Sequence, residues 1–336
     1  MALPPEFLSE LKYRNDIESV VGSYVNLRRR GSNLVGLCPF HNEKTPSFTL
    51  YPENGSYYCF GCGAGGDVIT FIRAIENLDY MEAVRFLADR AGMQVPEQGY
   101  DDSAARIRAQ ILEMNRAAAH FFHEMLLSPQ GAAAREYLAA RQLSPATIRH
   151  FGLGYAPDDW TGLTRYLEGK GFPADVIVLA DLAGKSKNGR VYDRFRNKIM
   201  FPIIDLRGGV IAFGGRKMPN DEGAKYINSS DTPVYKKSRN VYALNFAKNV
   251  KGDSLILAEG YMDVISLHQA GFENAVAALG TSFTSEQAHL LSRYAKEIVV
   301  TLDADAAGQR ATARAIEILN EAGVRVRVLR IPDGKD

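Results

Sequence analysis

The chain has 336 residues, 46% of them hydrophobic and 24% charged, and a formal net charge of +1. At about 150 residues per domain, this length predicts two or three globular domains of ordinary composition. No apolar run is long enough to span a bilayer and the N-terminus has no signal-peptide core, so a cytoplasmic protein with no membrane partner is expected. Three cysteines cannot all pair, which excludes a disulfide framework and fits a reducing compartment.

Residues 6–25 read as short helices. From Val25 to Tyr58, strand-like runs ("NLVGLC", "SFTLY", "SYYCF") alternate with Gly, Pro and Asn turns. Asp67 is placed as the N-cap of a helix in which Val68, Ile69, Phe71, Ile72, Ile75 and Leu78 follow helical spacing. A second helix is expected from about Asp79 to Arg90. The stretch 92–103 is polar, with Gly, Pro and a charge pair, and a linker is placed at 96–103 after an N-terminal module of residues 1–95. Helices dominate from Ala104 to about Asp181. Residues 184–251 then mix short strands ("KIMFPIID", "GVIAFGG") with basic, Gly-rich loops, so 104–251 is expected to be a mixed α/β basic subdomain. In residues 252–336, "SLILAEG", "NAVAAL", "EIVVTLD" and "VRVRVLRI" are apolar β-rich runs separated by helical stretches. That order predicts a parallel sheet with helical crossovers. The fold class is therefore multidomain, α+β and α/β, without internal repeats.

Charge is unevenly divided. Lys185 to Lys251 holds 15 Lys/Arg against 5 Asp/Glu, whereas Gly252 to the end holds 8 against 12. A basic segment directly before an acidic one points to polyanion binding beside a cation-dependent site.

All three cysteines lie in "CPFHNEKTPSFTLYPENGSYYCFGC". Cys38-x2-His41 and Cys59-x2-Cys62 are two ligand pairs, each on one tight turn, and such pairs converge on a single tetrahedral Zn²⁺. Gly61 and Gly63 relax the backbone beside the second pair. A lone cysteine is more often a buried apolar residue, but two pairs that use every cysteine favour a closed, structural zinc site. Arg28, Arg29, Arg30 and Lys44 are interleaved with Phe40, Phe48, Tyr51, Tyr57, Tyr58 and Phe60. Cations with stacking rings suit single-stranded nucleic acid. For any single aromatic, packing around the metal is the simpler explanation.

Glu259 closes one predicted strand, and Asp303 and Asp305 close another. Ligands of open α/β sheets bind at the carboxyl ends of strands. Carboxylates crowded there bind Mg²⁺, and Mg²⁺ contacts phosphate. The chemistry implied is phosphoryl or nucleotidyl transfer, although a single acid such as Asp305 is commonly only a helix cap. Asp263, one helical turn past Glu259, either supports the metal-binding acids or partners the helix dipole. Upstream, "DRFRNKIMFPI" is expected to place Arg194, Arg196 and Lys198 on one face of an extended run. Phe195 would lie opposite, with Ile199 and Phe201 continuing the apolar side. "FGGRK" is expected to supply Arg216 and Lys217 after a Gly-Gly turn. Lys225, Tyr226, Asn228, Lys236, Lys237 and Arg239 follow in "AKYINSSDTPVYKKSRNVY". Such a face suits a template strand or a nucleoside triphosphate.

Together these motifs resemble the bacterial DnaG-type primases in family order over nearly the whole chain. "CPFHNEKTPSF" with "YYCFGCGAGGD" is similar to their zinc-binding domain. "DRFRNKIMFPIID", "GVIAFGGR" and "KYINSSDTPVYKK" are similar to the basic motifs of their RNA polymerase domain. "LAEGYMDVISLHQAG", "ALGTSFT" and "TLDADAAGQRA" are similar to its toprim segment. The resemblance implies template-directed synthesis of RNA primers on single-stranded DNA from ribonucleoside triphosphates. It implies zinc at Cys38, His41, Cys59 and Cys62. It also implies catalytic Mg²⁺ (or Mn²⁺) at Glu259, Asp303 and Asp305, with Asp336 from a last acidic motif, and nucleotide or template contacts from Arg194, Arg196, Lys198, Lys225 and Lys237. A monomer is expected.

Two departures stand out. "NSSDT" replaces the more usual Asn-Ser-Pro-Glu-Thr. The family's Asp-Gly-x-Asp-Pro-Asp motif is cut at "PDGKD", so a piece of a longer protein is expected, lacking the C-terminal domain through which the replicative helicase would dock. Two readings compete with primer synthesis: a toprim enzyme that cuts and rejoins DNA, which needs a catalytic tyrosine, and a DNA-binding module without chemistry.

Overall fold

The computed structural model describes residues 3–41, 43–76, 78, 80–96, 103–219, 222–280, 283–301 and 306–329. Two compact units are present. The first holds Met1–Asp102 with His289–Lys296 and Leu319–Arg325; the second holds Ser103–Ala288, Glu297–Ile318 and Val326–Asp336.

The first unit starts with helices α1 (Pro5–Arg14) and α2 (Ile17–Gly22). Pro5 opens α1, where its missing N–H costs nothing, and Asp16 caps α2 by accepting the Ser19 N–H at 3.0 Å. A five-stranded antiparallel meander follows in chain order: β1 (Arg28–Arg30), β2 (Asn33–Gly36), β3 (Phe48–Tyr51), β4 (Ser56–Cys59) and β5 (Gly65–Asp67). Alternation turns Leu34, Phe48, Leu50, Tyr57 and Cys59 inward. Helices α3 (Val68–Ile75) and α4 (Tyr80–Arg90) follow the meander. As the sequence suggested, Asp67 caps α3, accepting the Thr70 N–H at 2.8 Å. Phe40, Phe48 and Tyr57 pack with Phe71 at ring spacings of 5.2–6.3 Å, so these aromatics form the core beside the cysteines. Tyr58 and Phe60 are exposed and meet edge to face at 5.1 Å.

The second unit begins with the long α5 (Ser103–Leu127), α6 (Ala132–Ala140) and α7 (Pro145–His150). Next come β6 (Gly154–Ala156), α8 (Gly162–Gly169) and α9 (Ala174–Leu179). Strands β7 (Ala183–Lys185) and β8 (Val191–Asp193) form a separate hairpin. Strands β9 (Lys198–Ile204), β10 (Val210–Lys217) and β11 (Tyr226–Asn228) join β6 in an antiparallel sheet ordered β11-β10-β9-β6. After β12 (Val241–Tyr242) and α10 (Leu244–Ala247) come β13 (Ser254–Ala258), α11 (Tyr261–Gln269), β14 (Ala275–Ala278), α12 (Ser285–Ser292), β15 (Glu297–Thr301), α13 (Ala306–Glu321) and β16 (Arg325–Val328). Their sheet order is β12-β14-β13-β15-β16. Strands β14, β13 and β15 run parallel, with Ala277, Ala258 and Thr301 in register. This is the expected β/α alternation. One apolar cluster spans both sheets, from Phe201 and Ile203 to Tyr261, Val264 and Leu279.

Two local expectations fail. Gly214 and Gly215 are not a turn. They lie inside β10, paired to β9 and β11, and they are glycines because other residues occupy the space a side chain would take. A Cβ at Gly214 would fall 2.5 Å from Tyr261 Cζ, and one at Gly215 would fall 3.0 Å from Phe195. Nor is "RFRNKIMF" one extended run. Asn197 adopts φ +49°, a conformation Asn tolerates better than most residues, and this resets the alternation. Phe195 consequently packs with Met200 and Phe213, while Ile199 and Phe201 enter a different cluster.

Candidate metal centre and nucleic-acid interface

The four zinc candidates converge. Cys38 lies just beyond β2, Cys59 ends β4, and Cys62 lies on the turn that follows, closed by Gly63 N–H donating to the Cys59 carbonyl at 2.9 Å. Gly63 takes φ +73° there, which glycine adopts without penalty. One ligand atom from each of the four residues lies within 4.8 Å of every other. Around a tetrahedral zinc with Zn–S of about 2.3 Å and Zn–N of about 2.0 Å, S···S and S···N edges are roughly 3.8 and 3.5 Å. Cys38 Sγ and Cys62 Sγ are 3.8 Å apart, and Cys59 Sγ and His41 Nδ1 are 3.6 Å apart. The donor set therefore fits the ion, with His41 binding through Nδ1. Burial pushes the Cys38 and Cys62 thiols up, and a bound cation overcomes this by deprotonating its ligands.

The sequence reading missed Glu43. Its carboxylate accepts from the Cys38 N–H at 2.7 Å, the Ser47 N–H at 3.0 Å and the Ser47 hydroxyl, and it lies 3.3 Å from His41 Nε2. Burial tends to raise its pKa, but the Ser47 and Cys38 hydrogen bonds and the neighbouring His41 outweigh burial and hold it below the usual range. A carboxylate on the distal imidazole nitrogen fixes tautomer and ring orientation. Gly61 is required by the same ring, since a Cβ there would fall 2.5 Å from His41 Nε2.

On the outward face of the meander, Arg28, Val35, Thr49 and Tyr58 are paired across successive strands. Arg28, Arg29 and Arg30 are all exposed on the edge strand β1. Cations and an exposed aromatic pair thus share one sheet.

In the second unit, Arg194 pairs with Asp181 at 2.8 Å and reaches the Asn228 carbonyl at 3.3 Å. The Arg196 guanidinium lies 3.7 Å over Trp160 and donates to the Asp193 carbonyl at 2.6 Å. Trp160, the only tryptophan, is 61% exposed and was overlooked in the sequence. It borders an open pocket of about 610 Å³ lined by Gln130, Tyr155, Pro157, Asp158 and Asp159. Asp193 anchors this loop by accepting from the Leu163 and Thr164 N–H groups at the start of α8, at 2.7 and 2.9 Å. Burial raises its pKa despite those donors.

Arg216 is buried. It donates to the Tyr226 hydroxyl at 2.7 Å and faces the Tyr137 and Tyr226 rings. Lys198 begins β9 and is half-buried, and Lys225 is exposed just before β11. The Tyr261 hydroxyl donates to Asn228 Oδ1 at 2.8 Å, and its ring stacks on Phe201 at 4.9 Å. This ties the basic sheet to the start of α11. Glu259 is exposed immediately after β13, at the carboxyl end of the parallel sheet. Asp263 accepts the Gly260 N–H at 2.9 Å and so stabilises the first turn of α11. At the neighbouring strand end, the stem of Lys237 crosses Gly280, where a Cβ would be 3.1 Å from Lys237 Cδ. Asp303, Asp305 and Asp336 lie outside the described residues.

Comparison with known proteins covers the same regions. Residues 3–103 match the family described as CHC2 zinc finger, 121–248 match DNA primase catalytic core, N-terminal domain, and 256–336 match Toprim-like. The chain is 45% identical over its whole length to the DNA primase of Clostridium acetobutylicum, covering 56% of that protein. It is 43% identical to the DNA primase of Pseudomonas aeruginosa, covering 52%. It therefore spans about half the length of the curated relatives it matches. Among solved structures, the zinc-binding and RNA polymerase domains of the Aquifex aeolicus primase match all of this chain and 81% of theirs, at 36% identity and a TM-score of 0.64. A DnaG primase catalytic domain bound to single-stranded DNA matches 69% of this chain and 76% of its own, at 37% identity and a TM-score of 0.64. The zinc-finger, primase-core and toprim-like matches follow one another along the chain, over the units that hold the ligand cluster and the two sheets, and the chain belongs to the DnaG primase family.

Proposed function

We propose that this chain synthesises short RNA primers on single-stranded DNA by metal-dependent nucleotidyl transfer. The observation that carries the reading is that an acidic and a basic side chain lie at the ends of neighbouring parallel strands. Glu259 follows β13 while Lys237 crosses the end of the adjacent β14, which is where ligands of open α/β sheets bind.

Glu259, with Asp303 and Asp305, would hold Mg²⁺, which supplies activation of the attacking 3′-hydroxyl and a grip on the triphosphate. Lys237 and Lys225 offset negative charge on that triphosphate. The template strand runs over the Arg194–Arg196 loop, where the exposed face of Trp160 stacks a base and Arg196 backs the ring. Tyr58 and Phe60 with Arg28 and Arg30 offer a second stacking and phosphate-binding surface on the zinc unit. The related catalytic domain bound to single-stranded DNA supports this assignment of partner. No protein nucleophile takes part, so no covalent DNA adduct forms.

Incubation of the 336-residue chain with labelled ribonucleoside triphosphates, Mg²⁺ and single-stranded DNA tests the reading. Template-dependent incorporation is expected. DNA binding without incorporation would reduce the chain to a binding module, and a denaturation-resistant DNA adduct would favour a strand-cutting enzyme.

A further inference from the structure

Lys237 is held by its main chain as well as by its surroundings. Its N–H donates to Asp231 Oδ1 at 3.0 Å, and its carbonyl accepts from Gln287 Nε2 at 3.1 Å. The same Nε2 donates to the Asn240 carbonyl at 2.8 Å, and the Thr284 hydroxyl donates to the Ser238 carbonyl at 2.7 Å. The 237–240 turn is thus fastened to Thr284 and Gln287, which lie beyond the end of β14. Gln287 is 1% exposed.

Thr284 and Gln287 also cap α12 reciprocally. The Gln287 N–H donates to Thr284 Oγ1 at 3.2 Å, and the Thr284 N–H donates to Gln287 Oε1 at 3.1 Å. Glutamate and glutamine serve this capping box equally, because only the side-chain oxygen is used. They differ in the remaining group. A glutamine amide has two N–H donors and a carboxylate has none. Here both contacts from that amide go to the Lys237 turn. A glutamate would keep the cap and set negative charge against two part-buried carbonyl oxygens.

We propose that Gln287 is a positioning residue for Lys237. The Thr284–Gln287 clasp holds the Lys237 stem across Gly280, so that the ammonium stays at the carboxyl end of β14, where the triphosphate of the incoming nucleotide binds. The proposal rests on the nucleotide-binding reading of Lys237 given above.

The test titrates a fluorescent ribonucleoside triphosphate with Mg²⁺, and separately a labelled single strand of DNA. It uses the wild-type chain, Gln287→Glu, Lys237→Ala and the double variant, with thermal unfolding as the control for the cap. Gln287→Glu is expected to weaken nucleotide binding about tenfold, the scale of one or two lost hydrogen bonds. DNA affinity should change little, while the unfolding temperature should fall, because a carboxylate at this 1%-exposed position faces two carbonyl oxygens. The double variant should bind no more weakly than Lys237→Ala alone, because Gln287 acts through Lys237. Additive losses, an unchanged nucleotide affinity in Gln287→Glu, or an equal loss of DNA binding would overturn the clasp. A Lys237→Ala variant with wild-type nucleotide affinity would instead overturn the reading of Lys237 itself, and the clasp with it.

Discussion

Glu43 gathers hydrogen bonds from both ends of the zinc cluster, through the Cys38 N–H and the residues around His41 and Ser47. Removing such a partner commonly costs about 10–100-fold in metal affinity. Glu43→Gln is expected to lose zinc to a competing chelator on that scale, and unchanged competition would show that the carboxylate is dispensable. Gly214→Ala is expected to destabilise the chain by about 1–3 kcal/mol, because Tyr261 already occupies the space of the new methyl. Denaturant titration would read it, and an unchanged midpoint would contradict the packing argument. These residues also mark the limits of sequence reading. Cys38, His41, Cys59 and Cys62 were legible because each ligand pair sits on one local turn. Glu43 carries no such spacing signal, and its role exists only once the turns meet. Gly214 reads as a turn residue in isolation. Its reason lies in Tyr261, 47 residues away in sequence.

Among the elements, α11 is fixed at both ends to the part of the unit that carries the basic sheet. Tyr261 reaches Asn228, and Gln269 accepts from the Ser144 N–H and Thr147 hydroxyl at 2.8 and 2.7 Å and donates to the Gln142 carbonyl at 2.8 Å. The β/α alternation of the last third was legible from its long apolar runs. These cross-ties were not, because they pair residues more than 30 positions apart. The same helix buries His268, whose Nε2–H donates to the Ala275 carbonyl at 2.8 Å. Burial lowers its pKa below 6.5, and His150 adds to the effect, outweighing the pull of Ala275 and Glu273. The unfolded chain therefore takes up this proton more readily than the folded one. The stability involved is fully present above the unfolded pKa of 6.5 and is lost as pH falls below it. Wild-type protein should lose more stability than His268→Gln between about pH 7 and about pH 5.5. Parallel curves would contradict the assignment. Asp193→Ala should cost about 1–3 kcal/mol by uncapping α8 and should release the Arg196–Trp160 contact. Tryptophan fluorescence during unfolding checks both effects.

For the whole molecule, we propose that a carboxylate edge on a parallel sheet performs transfer chemistry for a chain that also carries a zinc module and a basic sheet. The family was legible because its motifs occur in order along nearly the whole chain, whereas the face presented by the Arg194–Lys198 segment was misjudged because one left-handed residue, Asn197, resets it. We propose domain boundaries at residues 95 and 103, and limited proteolysis should cut first between them; a first cut elsewhere would move them. The most direct measurement compares template-dependent ribonucleotide incorporation by the wild-type chain and by Glu259→Gln, with zinc content and far-UV circular dichroism recorded for both. Glu259→Gln is expected to lose incorporation while zinc content and fold are unchanged. Full incorporation by that variant would contradict the catalytic role of the sheet edge.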